Sequence, residues 1–290
     1  MIKPNVLITG CSSGLGKETA IQFAKAGYKV FAGVRKLEDA DFLVSNFKDV
    51  KPIILDLTNA EHISRINQLI SDECPKEGLQ ILINMAGYTF VSPIEYTKEE
   101  NIRMLFETLF FGPVNLTNAL LPSLKRHYCL TGERSKILNI ISWASLDAPP
   151  FVGFYASAKA ALLKLTEAQF YEFNKIEIDT IAIIPGLMKT PFLINKIAKE
   201  INNTLEHLPE DGMIHYGQSL KHMLAMNTQT KNNFLAVPPA RMAKKIFRIA
   251  ECKNPKSTYI LGIDSHLIYL MNRFFPACCT KLFKRKLYAL

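Results

Sequence analysis

The sequence has one tryptophan, and beyond Asp264 it has no acidic residue at all. No apolar run reaches 18 residues, so no membrane-spanning helix is expected. The six cysteines (Cys11, Cys74, Cys129, Cys252, Cys278 and Cys279) lack the spacing of a metal site or a disulfide framework. They are expected as reduced thiols in a cytoplasmic protein. No zinc-finger spacing or other nucleic-acid motif occurs, so nucleic acid is not expected as a partner. Repeats and low-complexity linkers are also missing, which predicts one domain over residues 1–290. The start, Met1-Ile2-Lys3-Pro4-Asn5, runs straight into an apolar Val6-Leu7-Ile8-Thr9, so no signal peptide is expected. What remains is a globular composition, 48% hydrophobic and 21% charged, with a formal charge of +9. That charge suits an anionic ligand or a membrane surface.

Short apolar runs alternate with helical stretches along the chain. The strand-like runs are 6–9, 30–34, 52–55, 80–84, 137–141, 180–184 and 259–261. The helical ones are 17–26, 60–71, 101–126, 157–173 and 239–252. Continuous apolar strands between helices predict an α/β fold, a doubly wound parallel sheet of about seven strands with helices on both faces.

Three glycines, Gly10, Gly14 and Gly16, stand in seven residues at the first strand–helix junction. Such a turn sets backbone N–H groups at a helix N-terminus, where a pyrophosphate binds. The second strand ends without a carboxylate. Val34 stands where an acid would bind an adenine ribose, and Arg35 and Lys36 follow, with Lys17 near the turn. Missing acid and present cations favour NADP(H) over NAD.

Tyr155 and Lys159 are four residues apart before an Ala/Leu-rich run. On a helix they share one face. An ammonium there is expected to lower the phenol pKa, so that the tyrosine trades a proton near neutral pH.

Together these residues resemble the short-chain dehydrogenase/reductase family. Thr9-Gly10-Cys11-Ser12-Ser13-Gly14-Leu15-Gly16 is similar to its Thr-Gly-x-x-x-Gly-x-Gly motif. Asp56-Leu57-Thr58 resembles its adenine-contacting Asp, and Asn84-Met85-Ala86-Gly87 its Asn-Asn-Ala-Gly, with Met85 replacing the second Asn. Ser142 precedes Tyr155 by thirteen residues, Tyr155 and Lys159 match Tyr-x-x-x-Lys, and Pro185-Gly186-Leu187-Met188-Lys189-Thr190 matches Pro-Gly-x-x-x-Thr. The resemblance covers residues 5–190 strongly, and the glycine segment looks nearest to the 17β-hydroxysteroid and retinol dehydrogenase branch. It implies a single Rossmann-type domain and hydride transfer between NADP(H) and an alcohol or carbonyl. It implies catalysis by Ser142, Tyr155 and Lys159. It implies cofactor contacts at Gly10, Ser12, Ser13, Gly14, Leu15, Gly16, Arg35, Asp56, Leu57, Asn84, Ala86, Gly87, Pro185, Gly186, Met188 and Thr190, together with Tyr155 and Lys159. No metal is implied, and a homo-oligomer is expected. One departure matters: Leu109 falls where the family carries an Asn that holds a water near the lysine, and leucine cannot hold one. With Met85, it leaves open a non-catalytic cofactor-binding or interaction protein on the same fold.

Trp143, the apolar approach 149–154 and Phe192-Leu193-Ile194 could line a pocket for a steroid-, retinoid- or lipid-like substrate. Residues 187–235 read as a lid over the site. His207, His215 and His222 fall in it, but Pro209 and Gly212 interrupt their spacing, and no metal site is expected. Residues 265–290 form a basic amphipathic tail. Such a tail lies on an anionic membrane, or packs on a subunit or on the domain's own flank.

Overall fold

Strands that are apolar on both sides must be covered on both faces, and the sheet meets that demand. In a computed structural model, residues 3–189, 195–229, 236–275 and 285 are described. Seven parallel strands form one sheet: β1 (Asn5–Thr9), β2 (Lys29–Val34), β3 (Val50–Ile54), β4 (Ile81–Asn84), β5 (Ser135–Ile140), β6 (Ile178–Pro185) and β7 (Thr258–Leu261). Their order is β3-β2-β1-β4-β5-β6-β7. The order reverses beside β1, with Val6 in register with both Val30 and Ile81. Ligands of doubly wound sheets bind at such a switch point, outside the carboxyl ends of the strands.

The helices are α1 (Gly14–Lys25), α2 (Asp41–Asn46), α3 (Ala60–Glu73), α4 (Glu99–Phe106), α5 (Gly112–Thr131), α6 (Gly153–Asn174), α7 (Ile197–His207), α8 (Glu210–Gln229), α9 (Pro239–Ala250) and α10 (Ile263–Phe274). Leu15 and Phe23 of α1, with Met242 and Ile246 of α9, close one face over Val6, Ile8 and Val30. Ile66 and Ile70 of α3, with Leu116 and Leu120 of α5, close the other over Leu7, Phe31 and Leu82. Each such side chain contributes about 1.5–3 kcal/mol by leaving water.

The expected strands all form. The helix expected over 101–126 does not run unbroken. Between α4 and α5, residues 107–111 make a π turn, and the Gly112 N–H reaches back five residues to the Glu107 carbonyl. Pro113 supplies the cause: it has no N–H for the carbonyl of Leu109, and its ring crowds that carbonyl. The chain leaves the sheet at Met188 and returns at Val237, which pair as an isolated parallel bridge. Between them α7 and α8 pack Ile201 and Leu220 against Val91 and Phe151. Tyr96 and Tyr216 tie this excursion down through Asp211 and Glu95.

Candidate active site

The glycine turn is shaped by atoms that are not there. Gly10 has φ +75°, and a Cβ on it would lie 2.8 Å from the Cα of Ala86. A Cβ on Gly16 would lie 2.0 Å from the carbonyl oxygen of Gly10. So the first glycine lets the end of β4 approach, and the third lets α1 sit against the turn. The Gly10 and Cys11 N–H groups both donate to the Gly33 carbonyl, 3.0 Å each, which fixes the turn to β2. The Thr9 hydroxyl accepts from the N–H groups of Met85 and Ala86, 2.9 Å each, which fixes it to β4. Ser12 and Ser13 are exposed, Ser13 makes no side-chain cap, and the first turn of α1 holds no acid. Its leading N–H groups therefore keep their pull on an anion. Leu15 and Leu57 are core side chains, so only their backbones are available to a ligand. Cys11, inside the motif, is inert: burial pushes its thiol up to about 12, against a backbone hydrogen bond from Gly33.

Arg35 is exposed at the end of β2. Lys17 stands 3.9 Å over the Phe42 ring. Asp56 follows β3, and its Oδ1 accepts from the Thr58 N–H at 2.9 Å and hydroxyl at 2.8 Å. Burial works upward on this carboxyl, but the Thr58 donors, Arg35 and His62 together hold it below its ordinary value. Gly87 is exposed, and a Cβ there would meet Leu109 Cδ2 at 3.0 Å. Asn84 is buried, and its Nδ2 donates to Asn139 at 2.8 Å and Thr117 at 3.2 Å. Met85 turns into the core rather than into the site, 3.8 Å from the Thr19 hydroxyl.

The Ser142 hydroxyl stands close enough to Tyr155 to favour its ionised form. Ser142 follows β5, and its Oγ accepts from the Ala144 N–H at 3.2 Å. α6 begins at Gly153, so Tyr155 and Lys159 share a helix face as the spacing predicts. The expected electrostatics differ. Tyr155 packs against the cluster of Leu105, Leu109 and Ala158, and burial raises its pKa while the nearby Ser142 hydroxyl works downward. The buried Lys159 ammonium donates to the Ile140 carbonyl at 2.8 Å. Burial lowers Lys159 from 10.5 to about 8. The Ile140 carbonyl thus fixes where the lysine ammonium sits.

Pro185 and Gly186 end β6 as buried residues, with Met188 paired to Val237. Thr190 and Phe192–Ile194 lie outside the described residues, as do Cys278 and Cys279. Sequence reasoning missed Asp264. It is buried at the start of α10, and its Oδ2 accepts from the Leu187 N–H at 2.6 Å. Its Oδ1 fills the space where a Gly186 Cβ would stand, 2.1 Å away. The signal available was slight: the last acid of the chain, two residues after Gly262. Phe151, expected in the apolar approach, is buried with Val91, Ile201 and Leu220; it has φ +66° just before α6, and its carbonyl accepts from the Ser92 N–H at 2.8 Å. Among the described residues no cluster of metal ligands occurs, and no helix is long and apolar enough to cross a membrane.

Comparison with known proteins matches residues 4–201 to the family described as short chain dehydrogenase. A 3-ketodihydrosphingosine reductase of Bacteroides thetaiotaomicron is 30% identical over 251 residues, 86% of this chain and 84% of the relative. The 17-beta-hydroxysteroid dehydrogenase type 6 of Rattus norvegicus is 26% identical, covering 97% of this chain and 89% of its own. A short-chain dehydrogenase structure from Streptomyces avermitilis superposes with TM-score 0.76 at 24% identity, over 98% of this chain and 96% of that one. One from Burkholderia cenocepacia, in complex with NADP, gives TM-score 0.71 at 21% identity, over 99% and 98%. With the glycine turn, the strand order and these matches together, the chain belongs to the short-chain dehydrogenase family of oxidoreductases.

Proposed function

We propose that the protein is an NADP(H)-dependent oxidoreductase acting on the carbonyl or secondary alcohol of an apolar, steroid-, retinoid- or lipid-like substrate. The observation that carries this is the placement of Ser142 just after β5 and of Tyr155 and Lys159 on one face of α6, with the Lys159 ammonium on the Ile140 carbonyl at the end of β5. Gly10 to Gly16 and the acid-free N-terminus of α1 fit a pyrophosphate, and Arg35 at the end of β2 fits a 2′-phosphate. The bound nicotinamide supplies or receives the hydride. Tyr155 Oη gives its proton to the substrate oxygen as the carbonyl becomes an alcohol, and its raised pKa keeps that proton in place at neutral pH. Ser142 Oγ steadies the charge growing on the same oxygen. Lys159, buried beside them, keeps positive charge near the reacting face up to about pH 8. Asp264 acts on the site through the backbone, holding Leu187 and the Pro185–Gly186 turn. Asp56, Asn84, Ala86, Gly87, Met188 and Thr190 complete the cofactor contacts in this reading, with Ser12, Ser13 and the backbones of Leu15 and Leu57.

The structure with NADP and the relative named for a keto-sphingoid substrate support the cofactor and the apolar substrate. The excursion from Met188 to Val237 serves as the substrate lid, anchored by that bridge and by α7 and α8. The working form is a homo-oligomer of a cytoplasmic protein, with peripheral membrane contact through residues 265–290. The test is oxidation of NADPH, beside NADH, against a panel of apolar ketones and aldehydes. Turnover with NADPH and a long apolar ketone is expected. Tight NADPH binding without turnover of any carbonyl would favour the non-catalytic binding protein instead.

A further inference from the structure

Helix α10 faces two ways. Asp264 and Ser265 are buried against the sheet end, and the Asn272 side chain donates to the Leu146 carbonyl at 2.8 Å. The opposite side carries Ile263, Leu267, Leu270 and Phe274, spaced four, three and four residues apart. That spacing aligns them in one stripe along the helix. They are 66%, 51%, 45% and 73% exposed, so the helix presents apolar side chains where a surface helix normally presents polar ones. Arg273 flanks the stripe. In the sequence Lys281, Lys284, Arg285 and Lys286 follow, with no acid between Asp264 and the end.

We propose that the α10 stripe is a docking face for an anionic lipid bilayer, and that docking sets the substrate side of the site against lipid. Charge complementarity selects the occupant. Over residues 265–290 the sequence offers anionic head groups five cations and no carboxylate, Arg273 of α10 among them. A second copy joined through the same stripe would bring two such cationic segments together, at a repulsive cost. The geometry supplies the purpose. α10 is tied by Asp264 to Leu187, just after the Pro185–Gly186 turn, and by Asn272 to Leu146, just after Ser142. A bilayer under the stripe therefore lies beside both loops that flank the reacting face. An apolar carbonyl dissolved in lipid then reaches the site without crossing water. The docking deepens the membrane contact of the proposed function, and its purpose rests on the apolar-substrate reading above.

The full chain is sedimented with phosphatidylglycerol vesicles and with phosphatidylcholine vesicles, without substrate, at low and high salt. Binding to phosphatidylglycerol that weakens with salt, and little binding to phosphatidylcholine, is expected. Leu267→Glu with Leu270→Glu should leave thermal unfolding unchanged, since both side chains are exposed. It should lower vesicle binding about tenfold or more, because two insertions into the interface are lost. Equal binding by the double variant would overturn the proposal, as would wild-type protein that sediments with neither vesicle. A lipid-free dimer that the double variant dissociates would assign the stripe to a second copy. Strong hydrogen-exchange protection of α10 without lipid would assign it to the chain's own tail. Vesicle binding with no carbonyl turned over would leave docking standing and remove the substrate reading. Ketone reduction without vesicle binding would do the reverse.

Discussion

The β1–β3 half and the β4–β7 half of the sheet build their parts of the site by opposite means. Around Gly10 and Gly16 the decisive feature is space: a single methyl would strike the Ala86 backbone or the Gly10 carbonyl. Around Tyr155 and Lys159 the decisive feature is surroundings: an apolar cluster raises the phenol and pulls down the lysine. The first half depends on backbone shape, which the glycines allow and the Ala86 backbone limits. The second depends on low dielectric, which residues far apart in sequence bring together. Leu109 belongs wholly to the second kind. It is fully buried among Leu105, Phe106 and Ala158, on a π turn that Pro113 imposes.

Substitutions on each side sharpen that contrast. Tyr155→Phe keeps the ring and removes the proton donor. Turnover should fall about a hundredfold or more while NADPH still binds, the scale of lost acid–base catalysis; normal steady-state rates would assign the proton to another group. Gly16→Ala tests shape alone. Its methyl meets a backbone carbonyl that cannot swing aside, so a stability loss up to about 3 kcal/mol and weakened NADPH binding are expected together. A variant with unchanged melting temperature and affinity would deny the tight fit.

Lys159 tests surroundings by pH. The native chain releases this proton near pH 8 and the unfolded chain near 10.5, so between those values the unfolded state holds more protons. Stability therefore rises with pH across that window, and burial of the charge costs most below it. At about 1.36 kcal/mol per unit the span is at most about 3 kcal/mol. Denaturant unfolding of Lys159→Met should lack this rise, so its difference from the unsubstituted protein should change between pH 8 and 10. A constant difference would show a lysine that stays charged.

Arg35→Ala returns to the first half. Losing a charge-assisted contact to the 2′-phosphate, worth about 1.5–3 kcal/mol, should weaken NADPH binding roughly tenfold or more and leave NADH nearly unchanged. Equal losses in both titrations would remove Arg35 from cofactor choice. Leu109→Asn should have the smallest kinetic effect. It buries an amide at about 1–3 kcal/mol among apolar neighbours, so melting temperature falls. Turnover should rise no more than about twofold, well short of the tenfold that 1.36 kcal/mol of barrier gives. A tenfold rise with stability kept would show the native site to be impaired by its leucine.

Much of this molecule was decided locally and could be read as such. The seven strands follow from short β-branched runs, because only a sheet covered on both faces buries them. The three glycines announced their turn, since a positive φ and a missing Cβ are properties of the residue itself. The shared face of Tyr155 and Lys159 followed from helical spacing. Other features came from contacts across the chain. Pro113 stood in plain view, yet an unbroken helix was expected, because its effect falls on a carbonyl four residues back. Asp264 had no local signature; its role arises only where α10 meets the Pro185–Gly186 turn, 77 residues away along the chain. The direction of the Tyr155 shift was read wrongly from sequence. A pair of residue types fixes which charges are available, but burial decides which charge is tolerated, and burial is a property of the whole packed fold.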